Sequence, residues 1–290
     1  MTRLALGTVQ FGLDYGITNR RGRPSLHEAG RILEVARGFG IDLLDSAVAY
    51  GASEQVLGDL GVSDFKVVTK LPPLPEGMSD AADWVERELT ASLARLRLGS
   101  VHGLLLHRST DLNGRHGRDL AEGMLRVRAS GLAEKIGVSI YDPAELDEVI
   151  PFMPLDLVQT PINLLDRRLE RSGWLRRLHE DGVEIHTRST FLQGLLLLPR
   201  REIPARFERW SALWDSWHGE LLQHSVPPTA ACLSYPLSLP GVSRVVVGVD
   251  AAEQLEALAL AARNPPDIRE WPSFATDDAM LINPSNWNRL

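Results

Sequence analysis

The sequence is short of cysteine and has no paired histidines, and both absences limit the chemistry that it can carry. Cys232 is the single cysteine in 290 residues, so no internal disulfide and no Cys-x-x-Cys motif can form. The eight histidines include no His-x-x-x-His or His-Glu-x-x-His pair, so no zinc-type cluster is indicated. We therefore expect Cys232 to be a small buried hydrophobe, and we expect no metal site.

Targeting segments, membrane spans and basic patches are also missing. The amino terminus has no uninterrupted apolar region of the signal-peptide kind, and no run approaches the ~18 apolar residues of a membrane span. The formal net charge is −7 and the sequence pI is about 5.7, so nothing indicates a surface for nucleic acid or an anionic membrane. These features predict a cytoplasmic protein that binds neither nucleic acid nor membranes.

Short apolar runs alternate with amphipathic stretches along the whole chain, which is typical of βα units and a parallel sheet. The predicted strands are Leu4–Leu6, Ile41–Asp45, Val67–Lys70, Gly103–His107, Ile136–Ser139, Leu157–Gln159, Glu184–Thr187 and Arg244–Val247. The predicted helices are Leu26–Phe39, Glu54–Leu60, Ser79–Leu96, Leu120–Ser130, Pro143–Ile150, Leu169–Glu180, Arg206–His224 and Ala251–Ala262. Eight such units predict an α/β fold, a single (β/α)8 TIM barrel over residues 1–290, with a short carboxyl-terminal tail from about residue 264 to 290.

Four titratable residues lie at or just after the ends of successive predicted strands. Asp45 and Tyr50 belong to the segment Asp-Ser-Ala-Val-Ala-Tyr-Gly-Ala-Ser-Glu-Gln-Val-Leu-Gly, and Lys70 and His107 end the next two strands. Lysine occurs only at positions 66, 70 and 135, so a lysine at a strand end is conspicuous. Because the active sites of (β/α)8 barrels lie at the carboxyl ends of the strands, we expect these four side chains to lie together.

This segment, followed by a strand-end lysine and a strand-end histidine, resembles the motif of the aldo-keto reductases. The resemblance implies an NAD(P)H-dependent oxidoreductase that interconverts a carbonyl, in an aldehyde, ketone or sugar, with the alcohol by direct hydride transfer. It implies that Tyr50 donates the proton, that Lys70 and Asp45 tune its acidity, and that His107 orients the substrate oxygen. A phenol with an ordinary pKa near 10 is a weak donor at neutral pH, so we expect a neighbouring cation to stabilise the phenolate.

The cofactor is expected to bind on the barrel. No Gly-x-Gly-x-x-Gly or Walker motif is present, so neither a Rossmann nor a P-loop site is indicated. The resemblance implies NADP(H) or NAD(H), because segments such as Gly137-Val-Ser139 and Ser189-Thr-Phe-Leu-Gln-Gly-Leu195 are similar to cofactor-binding segments of the family. The candidate cofactor-binding residues are Gly7, Thr8, Ser139, Gln159, Arg188, Ser189, Phe191, Gln193, Gly194, Gly248, Asp250 and Gln254.

Three positions depart from the family pattern. Ile140 replaces the usual asparagine, and Arg188 replaces the usual aromatic residue that stacks on the nicotinamide. Asp250 stands where a basic or small polar residue often meets the adenosine 2′-phosphate, which predicts more use of NADH than is usual in the family. The same residue could instead open a capping box, Asp250-Ala-Ala-Glu253, and the two roles are compatible. Arg200 or Arg263 could reach in and compensate the charge.

The aromatic residues of the last third of the chain have two possible roles. Trp210, Trp214 and Trp217 share one face of a predicted helix, which favours core packing but also permits a wall of the substrate pocket. The tail from residue 269 to 290, with Trp271 and Trp287 among its aromatics, has the same two interpretations.

Two alternatives to a simple reductase stay open. The same fold and cofactor could serve an epimerase or dehydratase that retains its cofactor, and stoichiometric cofactor consumption would distinguish the two. A non-catalytic NAD(P)-sensing subunit is the other alternative, because a fold alone does not establish catalysis. Polar groups in the first loop, Gly7 to Gly16, weakly favour a polyhydroxylated substrate such as a sugar. The chain could be a monomer or a small homo-oligomer.

Overall fold

The computed structural model describes residues 2–269 and 271–290. Eight parallel strands close into a barrel in sequence order, and the first strand pairs with both the second and the eighth. The strands are β1 Leu4–Gly7, β2 Leu43–Asp45, β3 Lys66–Leu71, β4 Val101–Leu106, β5 Ala133–Ser139, β6 Leu157–Pro161, β7 Glu184–Arg188 and β8 Arg244–Gly248. The predicted (β/α)8 barrel is therefore confirmed.

Helices surround the barrel and lie close to their predicted positions. They are α1 Val9–Gly12, α2 Leu26–Gly38, α3 Ser53–Leu60, α4 Ala81–Leu96, α5 Gly117–Ala129, α6 Glu145–Val149, α7 Arg168–Arg171, α8 Trp174–Glu180, α9 Ser211–His224, α10 Pro228–Ser238, α11 Ala252–Arg263 and α12 Ala279–Ile282. The predicted helix over 169–180 is divided at Gly173, which has a φ of +81°. Helix α10 was not predicted, because Pro236 lies inside it. Among the described residues, no helix combines the length and apolar content needed to cross a membrane.

Helix α2 illustrates how local sequence signals become packing. The Ser25 side chain accepts a hydrogen bond from the Glu28 backbone N–H and caps the helix. Glu28 also accepts a hydrogen bond, at 2.7 Å, from the backbone N–H of Ala252 at the start of α11. The buried face of α2, spaced as one helical stripe, consists of Ala29, Ile32, Leu33 and Ala36. These contacts fix α2 beside the turn that leads from β8 into α11.

The interior of the barrel is filled by a small apolar cluster that supports the candidate site. Its members are Ala5, Leu43, Val68, Leu105, Leu157 and Val246. Side chains two residues apart on a strand point to the same side. The residues two positions further along these six strands are Gly7, Asp45, Lys70, His107, Gln159 and Gly248. Strand alternation therefore places the candidate side chains on top of a rigid apolar layer.

Another cluster, at the start of β7, is ionic and only partly buried. Glu184 accepts hydrogen bonds from His186 at 2.8 Å and from Lys135 at 2.5 Å, and it lies 3.2 Å from His102 Nε2. The second ring nitrogen of His102 lies 2.9 Å from Glu134. Burial alone would raise the pKa of Glu184, but hydrogen bonds from these partners hold it well below its usual value. This cluster stabilises the strands below the site.

Core packing accounts for five of the aromatic residues in the last third of the chain. Trp214 and Trp217 are buried, and their indole N–H groups donate to backbone carbonyls at 2.8 and 3.2 Å. The tail residues Trp271 and Phe274 pack against Trp217, with ring centroids 6.2 and 5.5 Å apart. Trp287, also in the tail, is buried as well. None of these five residues lines the cavity described below.

Cys232 is buried, as expected, and burial raises the pKa of its thiol. In the part of the chain that the structure describes, no group of three or more His, Cys, Asp or Glu side chains is placed to hold a metal ion.

Candidate active site

A cavity of about 480 Å³ opens at the carboxyl ends of the strands. One part of its wall is formed by Asp45, Tyr50, His107, Gln159 and Arg188. Another part is formed by the turn from β8 into α11, with Gly248, Val249, Asp250, Gln254, Ala257 and Leu258. Three of the four residues of the sequence motif thus share one wall, and Lys70 lies directly behind them.

Lys70 and Asp45 form a buried ion pair. Lys70 Nζ donates to Asp45 Oδ1 and Oδ2, each at 2.8 Å, and to the Ser46 carbonyl at 2.7 Å. The same nitrogen lies 3.5 Å from Tyr50 Oη. Burial lowers the pKa of Lys70, and the charge and hydrogen bonds of Asp45 act against that shift. The pair therefore holds a cation beside the phenol without leaving a buried charge unpaired.

The backbone of Tyr50 packs closely against helix α1. A side chain on Gly12, in α1, would place its Cβ only 1.8 Å from the Tyr50 carbonyl oxygen, so this contact requires glycine. Burial, and then the Asp45 carboxylate, raise the pKa of Tyr50, whereas the Arg188 charge opposes them. From the sequence we expected a neighbouring cation to lower the pKa of Tyr50. In the structure burial has the larger effect and raises that pKa, so Tyr50 is a protonated phenol.

His107 contacts the same phenol. Its ring meets the Tyr50 ring edge to face, with centroids 5.8 Å apart and an interplanar angle of 83°. Burial, together with the charges of Lys70 and Arg188, lowers the pKa of His107 to about 4. The imidazole is therefore neutral near pH 7, and one of its nitrogens can donate a hydrogen bond into the cavity.

Gln159 connects the cavity to the ion pair. Its side-chain N–H donates to Asp45 Oδ1 at 2.7 Å, while Gln159 Oε1 is buried and has no partner among the described residues. Ser139 lies beside Gln159 in the register of β5 and β6, and it is buried at the strand end without lining the cavity. Gln159 thus has one acceptor free for a ligand.

Arg188, at the end of β7, has a fixed orientation. Its Nη2 donates to the Ile140 carbonyl at 2.9 Å, and its Nη1 donates to Ser189 Oγ at 3.3 Å. The guanidinium lies over the Tyr141 ring, 4.2 Å from the centroid. Within the described ranges no carboxylate lies at ion-pair distance from Arg188, so no neighbouring side chain neutralises its charge at the cavity wall.

The loop after β7 folds against the loop after β1. Ser189 and Gln193 have positive φ values of 61° and 54°, and the Gln193 carbonyl accepts from the Ile17 backbone N–H at 3.2 Å. Gly194 has a φ of +91°, and a Cβ there would lie 2.2 Å from Thr18 Oγ1. Strained backbone of this kind is typical of ligand-binding loops.

Asp250 does not cap helix α11. The helix begins at Ala252 after Ala251, and neither of the capping-box hydrogen bonds is present. The Asp250 backbone N–H instead donates to Gln254 Oε1 at 2.9 Å, and Asp250 Oδ1 is buried without a partner among the described residues. The capping interpretation was therefore wrong, because the Glu28 carboxylate already takes the first free N–H of the helix.

The arginines that could have compensated Asp250 are engaged elsewhere. Arg200 is paired with Asp215 at 2.6 Å and with Glu208 at 2.8 Å. The Arg263 guanidinium lies 4.8 Å from the centre of the Phe39 ring. Neither arginine lines the cavity.

Most of the residues expected from the sequence line the cavity. They are Gly7, Asp45, Tyr50, His107, Gln159, Arg188, Ser189, Phe191, Gln193, Gly194, Gly248, Asp250 and Gln254. Thr8, like Lys70 and Ser139, is not among the lining residues. The Thr8 hydroxyl donates to the Asp45 carbonyl at 3.0 Å and accepts from Ser53 Oγ at 2.8 Å, so it holds the loops together.

Other lining residues were not identified from the sequence. They include Gln10, Tyr15, Thr18, Asn19, Tyr141, Thr190, Leu197 and Thr229. The polar character of the first loop is a sequence signal for Gln10 and Tyr15, and the position of Tyr141, two residues beyond Ser139, is a signal for Tyr141. Thr229 belongs to helix α10 and carries no local signal.

The cavity wall suits a polar ligand of extended shape. Four buried polar atoms without partners among the described residues belong to lining residues: Gln10 Oε1, Gln159 Oε1, Thr190 Oγ1 and Asp250 Oδ1. These atoms extend from the Tyr50 wall to the β8–α11 turn. Buried polar atoms normally have hydrogen-bond partners, so their distribution fits a dinucleotide with polar groups at both ends.

Comparisons with known proteins identify the family and the fold. The model of the Aldo/keto reductase family matches residues 3–275. Pyridoxal 4-dehydrogenase from Microbacterium luteolum is 26% identical, with 88% of this chain and 87% of that protein covered. D-threo-aldose 1-dehydrogenase from a Pseudomonas species is 29% identical, with 79% and 81% covered. The structure of an aldo-keto reductase from Bacillus halodurans in its holo form superposes with a TM-score of 0.73 at 21% identity, covering 95% of this chain and 94% of that one.

Proposed function

This chain belongs to the aldo/keto reductase family and is an oxidoreductase, and we propose that it interconverts a carbonyl and an alcohol by direct hydride transfer, with Tyr50 as the proton donor. The observation that carries the proposal is the Tyr50 hydroxyl in the cavity wall, beside His107 and 3.5 Å from the buried Lys70 ammonium. Relatives named for pyridoxal and for D-threo-aldoses support an aldehyde or a sugar as substrate.

The four residues have distinct roles in this proposal. Bound NAD(P)H supplies the hydride to the carbonyl carbon. Tyr50, kept protonated by burial, gives its proton to the carbonyl oxygen as negative charge develops there. Lys70 stabilises the phenolate that forms, and Asp45 keeps Lys70 charged and in place. His107, neutral above pH about 4, orients the substrate oxygen through a hydrogen bond rather than through charge.

Cavity residues beyond these four would hold the cofactor. Gln159 Oε1 would meet the carboxamide, with Ser139 buried beside Gln159, and Arg188 would lie against the nicotinamide ring. The loop after β7 would approach the pyrophosphate with Ser189, Phe191, Gln193 and Gly194, opposite Gly7 and the loop that Thr8 supports. Gly248, Asp250 and Gln254 would surround the adenosine.

Within this proposal, we infer that the protein favours NADH over NADPH. The unpaired Asp250 carboxylate would repel a 2′-phosphate, whereas it can accept a hydrogen bond from a free ribose 2′-hydroxyl. The Glu28 carboxylate at the first N–H of α11 removes much of the attraction that a helix amino terminus has for anions.

The experiment that tests the proposal compares Tyr50→Phe with Tyr15→Phe. Tyr15 is a second phenol in the cavity wall, and its hydroxyl accepts from Gln193 at 3.2 Å, so its variant is a matched control. A panel of aldehydes, ketones and aldoses is assayed with both reduced cofactors by loss of nicotinamide absorbance. We expect Tyr50→Phe to lose roughly 10²-fold or more in kcat with cofactor binding retained, and Tyr15→Phe to lose much less.

Three outcomes would contradict the proposal. Near-normal turnover of Tyr50→Phe would exclude Tyr50 as the proton donor. Cofactor binding with no turnover on any substrate of the panel would favour a non-catalytic sensing subunit. Product formation without stoichiometric loss of reduced cofactor would indicate an epimerase or dehydratase that retains its cofactor.

A further inference from the structure

The charges around the Tyr50 wall do not cancel. Of the charged residues that line the cavity, Asp45 is neutralised by Lys70, and Asp250 belongs to the separate β8–α11 turn. His107 is neutral near pH 7, because its pKa is about 4. Arg188 therefore leaves one positive charge next to the place where the hydride transfer would occur.

This positive charge is permanent and its position is fixed. A guanidinium does not lose its proton in proteins, so Arg188 stays charged at any working pH. Contacts with the Ile140 carbonyl, Ser189 Oγ and the Tyr141 ring orient it. Among the described residues, no carboxylate lies close enough to Arg188 to form an ion pair with it.

Strand register places Arg188 near the expected nicotinamide. On β6 and β7, Arg188 pairs with Pro161, which is two residues beyond Gln159, and both Gln159 and Arg188 line the cavity. A nicotinamide whose carboxamide meets Gln159 Oε1 therefore has its ring beside the guanidinium. The Arg188 charge opposes the rise in the pKa of Tyr50 and, after burial and the Lys70 charge, contributes to the lowered pKa of His107, so it acts on both side chains.

From this juxtaposition we infer that Arg188 makes the site favour the reduced over the oxidised cofactor and so directs the enzyme towards carbonyl reduction. The inference rests on the proposed cofactor site and adds a preference for redox state. In the reduction, a hydride with its two electrons leaves the neutral dihydronicotinamide for the carbonyl carbon, and the Tyr50 proton goes to the oxygen. The products are the alcohol and a nicotinamide ring with one positive charge. That ring is repelled by Arg188, which weakens binding of the oxidised cofactor and favours its release.

Binding titrations of the full-length protein, without substrate, test the inference. NADH, NAD⁺ and ADP-ribose are titrated by calorimetry into the wild type, Arg188→Met and Arg188→Lys. We expect the wild type to bind NADH at least about tenfold more tightly than NAD⁺. Arg188→Met, which keeps a long side chain without the charge, should bring the two affinities within about threefold by tightening NAD⁺. Arg188→Lys should keep most of the preference.

ADP-ribose is the matched ligand control, because it carries the adenosine and pyrophosphate without the nicotinamide ring. Its affinity should be the same in the wild type and Arg188→Met. An equal change for ADP-ribose and NAD⁺ would place Arg188 at the pyrophosphate and overturn the inference. Equal affinities of the wild type for NADH and NAD⁺ would overturn it without any variant, even if Arg188→Met does not fold. These results leave the proposed function intact, whereas that function fails if neither NADH nor NADPH binds.

Discussion

Removing the charge of Asp250 should move the cofactor preference towards NADPH. Asp250→Asn keeps the size of the side chain and removes the carboxylate, whose Oδ1 is buried without a described partner at the β8–α11 turn. The wild type should bind NADH more tightly than NADPH, and the variant should reverse or abolish that difference. Glu256→Gln is the matched control. Glu256 is an exposed acid on helix α11 and does not line the cavity.

The size of the effect follows from the charges involved. A 2′-phosphate carries nearly two negative charges at pH 7, and repulsion by a neighbouring, partly exposed carboxylate amounts to roughly 1–2 kcal/mol. We therefore expect Asp250→Asn to tighten NADPH binding about five- to thirty-fold. Loss of the hydrogen bond to the 2′-hydroxyl should weaken NADH binding by only a few-fold. Because the turn is partly open to solvent, salt should reduce the gain for NADPH.

Fluorescence titration of each variant with NADH and NADPH, at two ionic strengths, measures both affinities. A wild type that binds NADPH tenfold more tightly than NADH would refute the argument. So would an unchanged NADPH affinity in Asp250→Asn. A change of equal size in Glu256→Gln would show that a general change of surface charge, not Asp250, sets the preference.

Two further predictions concern ion pairs, one buried and one partly buried. Lys70→Met should lose most of the turnover and displace the alkaline limb of the pH–rate profile, and Asp45→Asn should have the same effects to a smaller extent. The double variant should lose no more turnover than Lys70→Met. Additive losses would show that the two residues act independently. Glu184→Gln should lower the free energy of unfolding by about 1–2 kcal/mol at pH 7, because Lys135 and its neighbours lose a partly buried charged acceptor. The folded state depresses the pKa of Glu184, so this stability is present above its ordinary value of 4.5 and is lost as the pH falls. The difference between wild type and variant should therefore narrow from pH 5 to pH 3 in denaturant melts, and a constant difference would contradict the assignment.

The barrel and its catalytic wall could be predicted because local patterns determine them. Each strand is a short apolar run, and alternation along a strand fixes which residues share a side. Leu43 thus predicts the inward direction of Asp45, and Leu105 predicts that of His107. The order of βα units then brings the strand ends together without further information.

The properties of these side chains depended on partners distant in the sequence. Asp250 has the local pattern of a helix cap, yet Glu28, 224 residues before Ala252 in the chain, occupies the N–H group of that helix and leaves Asp250 facing the cavity. Tyr50 has a cation beside it, as the sequence suggested, yet burial raises its pKa because the surrounding loops exclude water. The spacing of residues along the chain determines which side of a strand each side chain faces. The burial of a side chain, and which group takes each hydrogen bond, depend instead on the distant residues that the folded barrel brings within a few ångströms.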